Sequence, residues 1–210
     1  MTRQKIISLE GGDGSGKTTL IKKIEKYFID KEIPYMITRE PGGVRISEAI
    51  REIILDTRYT EMDYKTEALL YAAARRQHLT EKVIPQLDSG RVILFDRYVD
   101  SSVVYQGYVR GIGMEEVYRM NLFATEGFLP VLTLLLDVDP KEGIKRISEN
   151  ERHEDRLDLE GISFHQKVRE GYLLLAKKYP DRIKIVDANG TPQAVYRQVE
   201  ALLDAYLEEQ

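Results

Sequence analysis

The 210-residue sequence predicts an α/β fold, a five-stranded parallel sheet with helices on both faces. Three observations predict it. Short apolar runs, mostly Ile/Val-rich and bounded by charges or glycine, recur at Ile6–Leu9, Tyr35–Thr38, Val92–Phe95, Val131–Val138 and Ile183–Val186. That is the pattern of strands buried on both sides. Longer segments with helical spacing separate them, and a glycine-rich turn joins the first run to the first such segment. Strand–helix alternation of this kind calls for right-handed crossovers and a sheet covered twice.

Each helical element follows from its spacing. Leu20, Ile21, Ile24, Tyr27 and Phe28 mark one face over Thr19–Ile29. Leu70, Ala74, Leu79, Val83 and Leu87 do so over Glu67–Leu87, where Pro85 is expected to end or kink the helix. Val195, Val199, Leu202 and Tyr206 close the chain over Gln193–Tyr206. No repeat, low-complexity tract or Pro/Gly/Ser linker divides the sequence, so residues 1–210 are expected to form one domain. Lys141–Gly161 stands apart, with five basic residues against seven acidic ones and few apolar side chains. It is expected to be a short mobile lid, a solvated excursion from the sheet.

Gly11-Gly12-Asp13-Gly14-Ser15-Gly16-Lys17-Thr18 fits G-x-x-x-x-G-K-[ST] without mismatch, between an apolar strand and an amphipathic helix. The glycines let successive N–H groups turn inward towards phosphate oxygens, and the helix N-terminus adds partial positive charge. Lys17 is placed to neutralise the β- and γ-phosphates, and the Thr18 hydroxyl to ligate Mg²⁺. The pattern predicts a P-loop NTPase fold that binds a nucleoside triphosphate.

What happens to the γ-phosphate depends on the other strand ends. No Asn is followed by Lys, so the guanine-reading Asn-Lys-x-Asp of a GTPase switch is missing. Val92–Phe95 runs into Asp96-Arg97-Tyr98 rather than adjacent acids, which puts positive charge where a hydrolase needs a base. Arg39-Glu40-Pro41-Gly42-Gly43 follows the second strand, at the carboxyl edge where open α/β sheets bind ligands. Arg39 and Arg97 thus suit a second phosphate held for in-line attack; the other reading is a pair of surface arginines in weak ion pairs. Tyr71 and Arg75, four apart on a helix, suit a stacked base with a donor at its carbonyl, or a core Tyr beside an Arg whose stem lies along apolar surface. Tyr105 and Gln106 add a ring and a carboxamide, which helix packing alone also explains. His78, His153 and His165 lack metal-ligand spacing and read as structural or exposed.

Composition narrows the partners. Net charge is −4, which argues against non-specific binding to nucleic acid or anionic lipid. The absence of cysteine excludes disulfides, thiolate metal sites and Cys nucleophiles. The longest apolar run, Ala68–Ala74, falls far short of the ~18 residues of a membrane span, and Met1–Lys5 leads into no signal-peptide core. A soluble, cytoplasmic protein without membrane or nucleic-acid partners is expected.

The chain resembles the thymidylate kinases almost from end to end. The resemblance is carried by Gly11–Thr19, Thr38-Arg39-Glu40-Pro41-Gly42-Gly43, Asp96-Arg97-Tyr98, Asp100-Ser101-Ser102 through Tyr105-Gln106-Gly107, and Asp155-Arg156-Leu157-Asp158. It implies transfer of the ATP γ-phosphoryl group to dTMP, Mg²⁺ dependence and a homodimer. It also implies roles. Gly11 to Thr18 hold the ATP phosphates, with Asp13 on the acceptor 3′-hydroxyl. Arg39 and Arg97 hold the dTMP phosphate, while Thr18, Glu40 and Asp96 serve the metal and its waters. Tyr71 stacks on thymine, Arg75 and Gln106 read its edge, Tyr105 crowds the 2′ position, and Ser102 and Arg51 complete the pocket. With no arginine at Asp13-Gly14-Ser15, the likeness is to the bacterial type whose transition-state arginines, here Arg152 and Arg156, come from the lid. As residues alone, those two could equally pair with Glu149 or Asp155. Two departures are Tyr71, where Phe is commoner, and Val44-Arg45-Ile46, which puts an extra charge near the acceptor phosphate. The competing readings are a kinase for another nucleotide and a nucleotide-controlled switch or assembly ATPase.

Overall fold

A computed structural model describes residues 5–148 and 161–208. Five parallel strands form one sheet: β1 (Ile6–Gly11), β2 (Tyr35–Arg39), β3 (Val92–Asp96), β4 (Leu132–Asp137) and β5 (Ile183–Asp187). Their order is β2-β3-β1-β4-β5, so β1 is central and the chain reverses direction across it. Register pairs Leu9 with Asp96 and Gly11 with Leu136, which brings the carboxyl ends of β1, β3 and β4 to one edge.

The helices follow as α1 (Lys17–Asp30), α2 (Arg45–Leu55), α3 (Tyr64–His78), α4 (Ile84–Asp88), α5 (Val99–Ser102), α6 (Met114–Thr125), α7 (Pro140–Ser148), α8 (Ile162–Lys178) and α9 (Pro192–Glu208). Side chains alternate between two cores, as the period of a strand demands. Ile7, Leu9, Leu94, Leu134 and Val186 face α1 and α9, whose Leu20, Ile24, Phe28, Val195 and Val199 are buried with them. Ile6, Ile93, Phe95, Leu135 and Ile183 face the other layer, where Leu79, Val103, Val117, Val168 and Leu175 pack. On α9, Leu203 reaches the core and Leu202 lies partly buried beside it.

Three expectations change in detail. The fourth strand is shorter than its apolar run, because Val131 is exposed and Val138 has left the ladder. The helical stretch does not end at Pro85. Leu79–Val83 is a π-helical turn that hands the chain from α3 to α4, and Pro85 falls in the first turn of α4, where its missing N–H is tolerated. Within the expected lid, Lys141–Ser148 belongs to helix α7: the Asp139 carboxylate accepts from Lys141 N at 2.8 Å, and Glu142 pairs with Arg146 one turn on. Residues 149–160, with Arg152, Asp155 and Arg156, lie outside the described residues.

Candidate active site

β1 ends in Gly11, and the loop to α1 curls under the helix N-terminus with Gly14 at φ 72° and Gly16 at φ 94°. Gly14 has a second constraint, since a Cβ there would lie 2.1 Å from the backbone oxygen of Gly143 in α7. The reverse also holds: a Cβ on Gly143 would lie 2.7 Å from the Asp13 oxygen. Lys17, buried at the start of α1, reaches back over the loop and donates to Gly11 O at 3.0 Å and Gly12 O at 2.9 Å. Burial lowers its pKa to about 8, and the Arg97 guanidinium pushes the same way against Asp13, Asp96 and Glu10.

A cavity of about 930 Å³ opens along the carboxyl edge of the sheet. It is lined by loop residues Asp13 to Thr18 and, beyond them, by Arg39, Glu40, Arg51, Tyr71, Arg75, Asp96, Arg97, Ser102, Tyr105 and Gln106. Its other arm passes Lys23, Arg146, Ile147, Gly190, Pro192 and Val195, between α1, α7 and the start of α9. Sequence reasoning missed this arm, because its residues come from three distant segments with no shared motif.

Arg97 joins the two halves. Its backbone is left-handed, φ 63°, a disfavoured setting for a side chain with a Cβ. Its guanidinium donates to Gly11 O at 2.9 Å and to Asp13 Oδ1 at 2.6 Å, and lies 5.2 Å from the Tyr105 ring centre. Burial disfavours its charge, but Tyr105 and Asp13 hold its pKa well above the ordinary arginine value. The Tyr105 hydroxyl also donates to Asp13, at 3.3 Å. Behind this group Glu10, fully buried, accepts from Tyr98 N, Ser8, Ser101 and Tyr172. Burial raises its pKa, followed by the Asp100 carboxylate, while Ser101, Ser8 and Arg97 pull it back.

Arg75 forms a second buried network. Its Nε donates to Glu40 Oε2 at 2.6 Å, and its terminal nitrogens donate to Ser102 Oγ at 3.1 Å, Tyr98 O at 3.2 Å and Asn121 Oδ1. Glu40 Oε1 lies 3.1 Å from His78 Nδ1, and His78 Nε2 lies 2.8 Å from Thr38 Oγ1. Both oxygens of Glu40 are thus turned to Arg75 and His78. His78 and His165 are buried structural residues, while His153 lies outside the described segments. Gln106 donates to buried Glu67 at 2.9 Å. Arg39 is half-exposed and forks onto Glu48 of α2 at 2.9 and 3.0 Å; Arg51 and Arg39 both donate to Pro41 O. Burial would raise the Glu48 pKa, but Gly43 N and Arg39 hold it below the ordinary carboxylate value. Asn121, Glu48, Glu67 and Tyr172 were not legible as site residues, since each acts through a neighbour rather than a motif.

The family model for thymidylate kinase matches residues 9–199. The chain belongs to the thymidylate kinase family. It is 54% identical over 204 residues to the thymidylate kinase of Clostridium novyi (strain NT), covering 97% of this chain and all of that one. It is also 54% identical to the thymidylate kinase of Geobacillus thermodenitrificans (strain NG80-2), covering 96% and 90% respectively. The crystal structure of thymidylate kinase from Ehrlichia chaffeensis superposes with a TM-score of 0.73 at 28% identity, over 94% of this chain and 97% of that one. These matches cover both the phosphate loop and the acceptor arm of the cleft, so the family assignment does not rest on the loop alone.

Proposed function

We propose that the two arms of this cleft bind ATP and dTMP head to head and that Arg97 aligns the acceptor phosphate against the phosphate loop. The chain is a thymidylate kinase, an ATP-dependent phosphotransferase acting on dTMP. The observation that carries the residue assignment is the double contact of Arg97 with Gly11 O and Asp13, which puts an acceptor-side guanidinium against the donor loop.

A dTMP phosphate oxygen attacks Pγ; the new O–Pγ bond forms as the bond to the β-bridging oxygen breaks, giving dTDP and ADP. The phosphomonoester's second pKa is about 6, so its oxygen is already ionised at neutral pH and no general base is required. Catalysis then rests on alignment and charge neutralisation in a loose transition state. Lys17 and the loop N–H groups of residues 11–18 take the donor phosphates; Arg146 and the residues beside it flank the donor base. Arg39, Arg51 and Arg97 take the acceptor phosphate, and Asp13 the 3′-hydroxyl. Tyr71 stacks on thymine, Arg75 and Gln106 meet its edge beside Ser102, and Tyr105 disfavours a 2′-hydroxyl. Arg152 and Arg156 supply transition-state charge from outside the described residues. The Thr18 hydroxyl and Asp96 carboxylate, hard oxygen donors on the same cavity, suit Mg²⁺, which when bound neutralises phosphate charge. Glu40, on the same cavity, would serve that ion's waters while it holds Arg75 and His78.

ADP formation with dTMP, dUMP, UMP, CMP, AMP or no acceptor tests the reading. Strong turnover with dTMP, weaker with dUMP and background elsewhere is the expected result; ADP release indifferent to the acceptor would replace the kinase with an ATPase.

We also propose a homodimer, built on the face shared by α2, α3 and α6. Arg76 of α3 pairs with Glu126 just past α6 at 3.0 Å. One or two turns before them, on the same sides of their helices, stand Leu69, 59% exposed, and Phe123, 89% exposed; Ile53 of α2 is 45% exposed. A second copy covers such an apolar face with its own. Phe123→Glu should shift sedimentation from dimer to monomer, and a wild-type monomer would remove the proposal. We also propose a cytoplasmic location, which suits charged nucleotide substrates.

A further inference from the structure

Tyr172 lies in the middle of α8, far in sequence from every motif of the site, and is buried. Its hydroxyl nevertheless enters the network around Arg97. It donates to Glu10 Oε2 at 2.9 Å and accepts from Arg97 Nη1 at 3.3 Å. Ser101 does the same, donating to that Glu10 oxygen at 2.5 Å and accepting from Arg97 Nη1 at 3.4 Å. The two hydroxyl oxygens are 2.8 Å apart. Each hydroxyl has a single proton. One proton can serve the bond between the hydroxyls and the other the Glu10 carboxylate, and in either arrangement both oxygens keep a lone pair for the guanidinium. Glu10 thus anchors two acceptors aimed at Arg97.

This geometry matters because Arg97 leaves its strand through a left-handed residue, so its own backbone does not favour the direction the side chain takes. Asp13 accepts from the other terminal nitrogen, Nη2, while Gly11 O shares Nη1 with Tyr172 and Ser101. The Tyr172 ring stands edge-on to Tyr105 with centroids 6.3 Å apart. Ring and hydroxyl therefore have separable duties, one in packing and one on Arg97.

We propose that Tyr172 is a positioning residue for the phosphoryl acceptor, its hydroxyl, anchored on Glu10, fixing the Arg97 guanidinium. The inference rests on the reading above that Arg97 holds the dTMP phosphate. Tyr172→Phe keeps the ring and removes the hydroxyl alone. The expected result is a dTMP KM raised about three- to fivefold and an ATP KM within about twofold of wild type, with some loss in melting temperature from the lost bond to Glu10. Arg97→Lys should raise the dTMP KM further, and the double variant should fall short of the product of the two single effects.

A dTMP KM unmoved by Tyr172→Phe, while Arg97→Lys raises it, would overturn the role of Tyr172 and leave Arg97 in place. Parallel rises in both KM values with a lowered melting temperature would make Tyr172 structural only. An unmoved dTMP KM in Arg97→Lys would remove the acceptor assignment of Arg97 and, with it, this inference.

Discussion

The donor and acceptor ends of the cleft are built by opposite means. The donor end is a run of eight consecutive residues, Gly11 to Thr18, whose binding groups are largely backbone N–H groups set by local chain geometry. The end proposed for the acceptor is gathered from β2, α3, β3, α5, the π-helical segment Val103–Val109 after it, and α6, and its side chains are held by other side chains. Arg75 alone is tied to Glu40, Ser102, Tyr98 and Asn121. A loop of backbone donors tolerates changes around it; a pocket of mutually supporting charges transmits them. Phosphate binding should therefore be robust to distant substitution, and recognition of the acceptor should not.

The largest expected effect breaks the acceptor network without touching the loop. Glu40→Ala leaves the Arg75 guanidinium, 2% exposed, without its anion. Removing one partner of a buried pair costs about 3–5 kcal/mol. Chemical denaturation should show that loss, and kinetics should show a raised dTMP KM with the ATP KM little changed. Equal damage to both substrates would mean that the two ends are not independent.

Lys17 tests the donor end. Lys17→Met should lower kcat by about 10²–10³, the usual cost of one preorganised donor to a transferring group. Its effect on stability has the opposite sign. Folding lowers the Lys17 pKa from 10.5 to about 8, so the folded state resists the charged form. Below about pH 8 the protein carries that penalty in full. Between about 8 and 10.5 the unfolded chain binds more protons, and this contribution to stability rises with pH. Lys17→Met should thus stabilise the ligand-free protein at pH 7, by an amount of order 1–3 kcal/mol, with the gain shrinking as pH climbs to 10.5. Thermal melts of the two proteins across that range check it; a gain independent of pH would assign it to packing.

The smallest expected effect lies where the ends meet. Tyr105→Phe removes the long contact to Asp13, at 3.3 Å, and the hydroxyl's bond to Arg97, and keeps the ring under Arg97. A two- to threefold change in the dTMP KM is expected from so small a loss. A tenfold change would make Tyr105 a principal holder of Asp13.

Much of this was legible in the sequence, and the division follows the same contrast. The strands announced themselves through apolar runs, and the phosphate loop through a contiguous motif whose context could be checked. The pair Tyr71 and Arg75 showed its helical spacing but not its duty, because a core pair and a base-reading pair share the same face of a helix. The tertiary partners of Arg75, Glu40 and Asn121, stand 35 and 46 positions from it, beyond the reach of any local pattern. Glu10 was hidden in a strand as an ordinary polar residue before a glycine. The helical state of residues 141–148 was masked by their charge, since a helix that exposes most of its surface need carry few apolar residues.

The backbone contact between Gly14 and Gly143 bears on inhibitor design. The two positions are 129 residues apart, yet each presents main chain to the other, with a hypothetical Cβ 2.1 Å from Gly143 O in one direction and 2.7 Å from Asp13 O in the other. No trimming of a neighbouring side chain can make room for a substitution at either. A compound that seats itself along this seam would meet a surface on which escape mutations are closed off by the polypeptide itself, whereas one that reads Tyr71 or Gln106 would depend on side chains that a substitution can replace.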